Sequence, residues 1–194
     1  GKSHFLKVLG YLLENSKVPS PDGTIVGSSS FLCAKLGLTE FEPQLTKLRS
    51  KVLLVNLLEE ATLASGYSIS RIIYRDFLKS KGLSKIFWEA AWEEELQAQG
   101  VWEQFLTWVK EQYGRPWEAE RQLHSVRVLT CALPHFLPRH YPDEASATKA
   151  IEDSRQRHTT IRPKDVAERL RREAEEIHPD SGRLVVLLDE VGLY

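Results

Sequence analysis

Apolar residues recur at helical spacing over positions 3–13, where Phe5, Leu6, Leu9, Leu12 and Leu13 mark one face of a helix that starts almost at residue 1. Positions 15–27 break this rhythm. Pro19, Pro21, Gly23 and Gly27 stand there among serines, which predicts a connection built from turns. A short helix over 30–35 follows, with Gly37 as its stop, and Leu45 and Leu48 predict another turn or two before Lys51. The period then changes. Val52-Leu53-Leu54-Val55-Asn56-Leu57-Leu58 is a short continuous apolar run, the pattern of a strand covered on both faces in a parallel sheet.

From 67 to 178 the pattern is helical almost throughout, in segments separated by Gly82, Gly100, Gly114-Arg115-Pro116, Pro138 and Pro142. All five tryptophans, Trp88, Trp92, Trp102, Trp108 and Trp117, fall in it. Trp88 and Trp92 share a helix face, as do Trp102, Phe105 and Val109, which predicts the core of a helical subdomain. A partner-binding aromatic patch is the other reading. Pro163 suits the first turn of a helix to about Ile177, with Val166, Leu170, Ala174 and Ile177 inside and a mixed Arg/Glu face in solvent. After a stop at 178–182, Leu184-Val185-Val186-Leu187-Leu188 reads as a second buried strand, closing on Asp189-Glu190.

Composition narrows the class. The 194 residues suit one domain with a real core, and 26 Lys+Arg against 27 Asp+Glu leave a net charge of −1. A protein that coats nucleic acid needs a clear cationic excess, so that class is not expected, although local basic patches are. No run of 18 apolar residues and no secretory signal is present, so a cytoplasmic protein without a membrane segment is expected. Cys33 and Cys131 stand alone, without metal or redox spacing. The chain has no methionine, and with Gly1 in first place this predicts an excised piece of a longer protein.

Gly1-Lys2-Ser3 opening an apolar helix matches the last three positions of G-x-x-x-x-G-K-[ST], the phosphate-binding loop. Gly1 lets the backbone approach phosphates, with the amides at the helix start pointing at them. Lys2 would face the β- and γ-phosphates, and the Ser3 hydroxyl would hold Mg²⁺. The helix start adds about half a positive charge at the same place. At the other end, a buried strand closing on Asp189-Glu190 suits a carboxylate that orients Mg²⁺ and a neighbouring general base for the attacking water. In this order and on these element types, the two motifs are far more specific than either alone.

Other constellations are weaker. His135 and His140 lack metal-ligand spacing and read as surface or packing residues. Ser28-Ser29-Ser30 has no nucleophile context. Glu59-Glu60 follows the first strand, in reach of the site, and reads rather as a solvated turn. Arg71, Arg75, Arg127, Arg169, Arg171 and Arg172 are candidates for trans-acting fingers or DNA contacts, and the sequence does not rank them.

Gly1-Lys2-Ser3-His4-Phe5-Leu6-Lys7-Val8-Leu9 and Leu184-Val185-Val186-Leu187-Leu188-Asp189-Glu190-Val191-Gly192-Leu193-Tyr194 resemble the corresponding motifs of the large P-loop ATPases of BREX-type bacterial phage-defence systems, with Leu193 where that group commonly has glutamine. The resemblance covers about twenty residues at the two ends. It implies a prokaryotic ATPase related to the AAA+ and additional-strand classes, acting with a DNA methyltransferase and other defence proteins. It also implies ATP and Mg²⁺ as cofactors, Gly1, Lys2 and Ser3 as nucleotide contacts, Ser3 and Asp189 as metal ligands, and Glu190 as the catalytic base. The group's sensor residue and arginine finger would lie beyond Tyr194, so the chain would hold half a site and be inactive alone.

The expected fold is thus α/β: a partial P-loop NTPase core with two parallel strands at about 51–58 and 184–189, and a large, mainly α-helical insertion. The expected division is 1–66 for the first part of the core, 67–180 for the insertion and 181–194 for the acidic strand. The rival readings are a nucleotide-switched interaction module and a non-hydrolysing scaffold, docking a defence partner or DNA through the tryptophan-rich helices. A homo-oligomer is also compatible with the class.

Overall fold

The computed structural model describes residues 1–48, 50–57, 68–159, 161–178 and 182–189. The chain is mixed α/β and mostly helical, and it divides into two compact units, residues 1–77 with 162–194 and residues 78–161.

The first unit is built on a parallel pair of strands. β3 (Ser50–Asn56) and β4 (Arg183–Asp189) run in register from Ser50↔Arg183 to Asn56↔Asp189. Residue 58, placed in the first strand from the sequence, lies outside the described residues, and Leu57 has already left the strand. α1 (Lys2–Glu14) packs on one face of the pair and α9 (Pro163–Ile177) packs against both strands. Alternation along a strand puts Lys51, Leu53 and Val55 on one face and Val52, Leu54 and Asn56 on the other. The Lys51 ammonium donates to Glu173 of α9 at 2.8 Å, while Val52 and Leu187 lie against Gly10 of α1, so α9 and α1 cover opposite faces.

That coverage is unequal. Leu53 and Val55 are buried, but Leu54 is 37% exposed and β4 is half-buried along nearly its whole length. The expectation of strands covered on both faces is therefore corrected. Among the described residues no further strand borders this parallel pair, and α1 leaves a cavity of about 320 Å³ over Val52 and Leu54.

Between α1 and β3 the chain forms a small antiparallel hairpin of β1 (Lys17–Pro19) and β2 (Ile25–Gly27), then α2 (Ser28–Leu36), a 3₁₀ turn (Thr39–Phe41) and the one-turn α3 (Glu42–Leu45). α2 stops at Gly37, whose φ of 70° lies in the left-handed region that glycine enters without a Cβ penalty. α4 (Ile69–Ser80) groups with the sheet as far as Phe77, over whose ring the Arg169 guanidinium lies at 5.7 Å. α4 as far as Phe77 and α9, both within the 67–180 segment, thus group with the sheet.

The second unit holds α5 (Phe87–Ala98), α6 (Trp102–Tyr113), α7 (Trp117–Phe136) and α8 (Glu144–Arg157). Its core joins Trp92, Leu96, Phe105, Val109, Trp117, Leu129, Leu133 and Ile151, with Trp88, Trp102 and Trp108 packed against them. The tryptophans are core and core-edge residues. His135 stacks on Trp108, with ring centroids 5.8 Å apart, in keeping with a packing role. α8 opens with a reciprocal cap between Asp143 and Ser146.

Two carboxylates are sealed into this unit. Glu93 accepts from the Ser84 N–H, the Trp117 Nε1–H and the Arg121 Nη1–H, each at 2.6 Å. Glu89, one turn earlier, accepts from the Ser84 hydroxyl at 2.6 Å. Burial pushes the Glu89 carboxyl above its ordinary range, against the opposing effect of its serine hydrogen bonds.

Candidate functional site

α1 carries the first motif at its very start. Gly1 is its N-cap and contributes no side-chain cap, and its carbonyl accepts from the Phe5 N–H at 3.2 Å. The N–H groups of the first turn therefore have no helical partner, and no acidic side chain stands in that turn to compete for them. Lys2 is exposed and Ser3 half-buried.

The direction of α1 decides what this helix start faces. Glu14, at the far end, approaches the Val52 N–H at 3.5 Å, near the beginning of β3. Gly10 lies against Val52 and against Leu187, two residues from the end of β4. The helix therefore runs antiparallel to the strands, and its N-terminus lies at their C-terminal ends. From Gly10 to Ser3 is about 10.5 Å at 1.5 Å per residue, and those seven residues are almost two full turns, so Ser3 lies on the same sheet-facing stripe as Gly10. From Leu187 to Asp189 is about 6.6 Å along the strand, and from Val52 to Asn56 about 13 Å. Ser3 thus stands at the level of the strand tips.

Asp189 is the last residue of β4 and shares the α1 face with Leu187. The structure therefore brings Gly1, Lys2, Ser3 and Asp189 to one end of the sheet, with Ser3 and Asp189 on one face. Glu190 lies outside the described residues, as do Glu59 and Glu60.

The far end of α1 is anchored by a feature whose meaning was hidden in the sequence. The Ser28 hydroxyl donates to the Tyr11 carbonyl at 2.6 Å and the Ser29 hydroxyl to the Leu12 carbonyl at 2.7 Å. Asn15 closes the helix at φ 50°, and its Oδ1 accepts from the Ser29 N–H at 3.2 Å. The serine run satisfies the last carbonyls of α1, which fixes the axis of the helix that presents Ser3. Asn56 stands at the same end of the sheet. It is the polar interruption in the first apolar run, and it ends β3 as the in-register partner of Asp189.

The arginines divide between the units. Arg71, Arg75, Arg169, Arg171 and Arg172 belong to the sheet unit, where Arg169 covers Phe77 and Arg171 pairs with Glu175 at 3.1 Å. Arg127 is exposed on α7. Among the described residues no group of three or more His, Cys, Asp or Glu side chains is arranged to hold a metal, and no helix is long and apolar enough to cross a membrane. Comparison of the chain with protein-family models, with curated proteins and with solved structures finds no match.

Proposed function

We propose that this chain supplies the phosphate-loop and acidic-strand part of a Mg²⁺–ATP site, and that the protein is an ATPase of the BREX-like P-loop group. The observation that carries the reading is the shared placement of the α1 start and Asp189 at the C-terminal end of a parallel strand pair. This is where ligands of open α/β sheets bind.

The residues fit the group they would hold. Mg²⁺ takes one or two protein oxygens and completes its shell with phosphate and water, a demand that one hydroxyl and one carboxylate on the same face meet. Bound there, the ion would neutralise charge building on the phosphates. The free amides of the first turn and the Lys2 ammonium bind the phosphate oxygens, and the absence of first-turn acids leaves their charge unopposed. Ser3 and Asp189 would hold the metal, one from the helix and one from the strand. Glu190, assigned from the sequence, polarises the attacking water. A DNA methyltransferase, other defence proteins, DNA and further copies of the chain remain the proposed partners, on the strength of the terminal motifs.

Replacing Glu190 by Gln in the intact protein tests the catalytic half of this reading. ATP should stay bound while phosphate release stops, and unchanged hydrolysis would remove Glu190 from the role. Tight nucleotide binding without turnover in the parent protein would instead select the non-hydrolysing scaffold.

A further inference from the structure

The cavity beside α1 takes its strand-side lining from Val52 and Leu54 of β3 and none from β4, so it lies on the side of β3 away from its partner strand. Among the described residues no strand runs there. Lys7, Tyr11 and Glu14 of α1 face the same opening, with Tyr11 52% and Leu54 37% exposed. Gly10 fixes the frame. It meets Val52 of β3 and Leu187 of β4, and Leu187 is the register partner of Leu54, so α1 lies over the midline of the pair at the level of Leu53. Counted from Gly10 along the helix, Lys7 stands about 4.5 Å toward the C-terminal ends of the strands, and Glu14 about 6 Å the other way. Tyr11 is almost level with the centre.

We propose that this side of the sheet is a two-fold interface with a second copy of the chain, β3 lying antiparallel to the β3 of the second copy and α1 to its α1. A two-fold axis at the level of Leu53 brings Lys7 of each copy within about 1.5 Å of the level of Glu14 of the other, and sets the two Tyr11 side chains beside the axis. Opposite charges thus meet at both ends and aromatic rings in the middle, the self-complementarity that an isologous interface requires. The spacing agrees. With the two β3 strands one strand spacing apart, the two α1 axes stand two spacings apart, about 9.6 Å, which is within the 8–10 Å of packed helices. Val52 then faces Leu54 of the second copy, and the two helices close the cavity between them. Glu14 accepts from the Ser16 hydroxyl at 3.0 Å and keeps acceptor capacity for an ammonium. Its approach to the Val52 N–H, at 3.5 Å, is at the limit of a hydrogen bond, so a neighbouring strand can take that N–H over. Pairing turns a two-stranded sheet, marginal by itself, into one of four strands.

The charge pattern defines the experiment. Sedimentation velocity of the intact protein is measured without nucleotide over a concentration series, for the parent, Lys7→Glu, Glu14→Lys and an equal mixture of the two variants. One helix and one strand per copy make a small interface of the weak class, so the series runs through the micromolar range and above. The parent should pass from monomer to dimer. Each variant alone should associate about tenfold or more weakly, because like charges then meet at both ends. The mixture should associate as the parent does, since the two variants present opposite charges to each other at both ends. A parent that stays monomeric throughout overturns the proposal, as do single variants that dimerise like the parent. Variants that fail to associate even when mixed also overturn it, because their loss then comes from folding and not from charge. No nucleotide enters the measurement, so a failure here leaves the ATP reading untouched, and a failure to bind ATP leaves the interface untouched.

Discussion

Gly10 of α1 meets Val52 of β3 so closely that a Cβ on the glycine would lie 3.3 Å from Val52 Cγ1 and 3.7 Å from Leu187 Cδ1. The missing side chain sets how near α1 approaches the sheet. Alanine gains about 1 kcal/mol of helix propensity there and meets a contact only a few tenths of an ångström tight, so Gly10→Ala should be nearly neutral. A leucine side chain must reach past Val52 and Leu187 into the cavity beside them or push the helix away. Gly10→Leu should cost about 1–3 kcal/mol by overpacking and also weaken nucleotide binding, because Ser3 moves away from the strand tips. Chemical denaturation and nucleotide titration of the two variants check this together.

Glu93 gathers three donors from a loop, an indole and a guanidinium. Removing its carboxylate strands all three in a buried place, so Glu93→Ala should destabilise the helical unit by about 3 kcal/mol or more. The measurement is urea unfolding followed by tryptophan fluorescence, since Trp117 is one of the donors. A loss under about 1 kcal/mol would show that the network adds little.

Glu89 gives a pH dependence with a definite sign. Its folded-state carboxyl is raised above the ordinary value of 4.5 by burial, so the folded unit holds that proton more tightly than the unfolded chain does. The resulting stability is fully present below about pH 4.5 and is lost as the pH rises through the folded-state value. Glu89→Gln removes this dependence. The stability of the variant minus that of the parent should therefore increase from pH 4 toward pH 7, and a difference that is flat with pH would contradict the assignment.

Much of this architecture is legible in the residue order. The apolar stripe of α1, the run from Val52, the run from Leu184 and the proline at the first position of α9 each point to the element that forms, because each is a local pattern with one dominant period. The hairpin escapes because its strands are three residues long, too short for any alternation to register, and Pro19 and Gly23 read only as turns. Ser28 and Ser29 look like loop composition, since the carbonyls they satisfy lie seventeen residues earlier in the chain. Glu89 and Glu93 look like a solvated face for the same reason: their partners Ser84, Trp117 and Arg121 meet them only after folding. At the site, the residue types of the helix start and of Asp189 are visible in the motifs. Their common end and common face are not, because these depend on the antiparallel run of α1 across the sheet.

The central claim is that the α1 start and Asp189 form one metal–nucleotide site. Its most direct test is the affinity of the intact protein for ATP with and without Mg²⁺, compared with that of Lys2→Ala. The parent should bind ATP and bind it more tightly with Mg²⁺, and Lys2→Ala should lose binding in both conditions. Tight ATP binding that survives Lys2→Ala would contradict the claim.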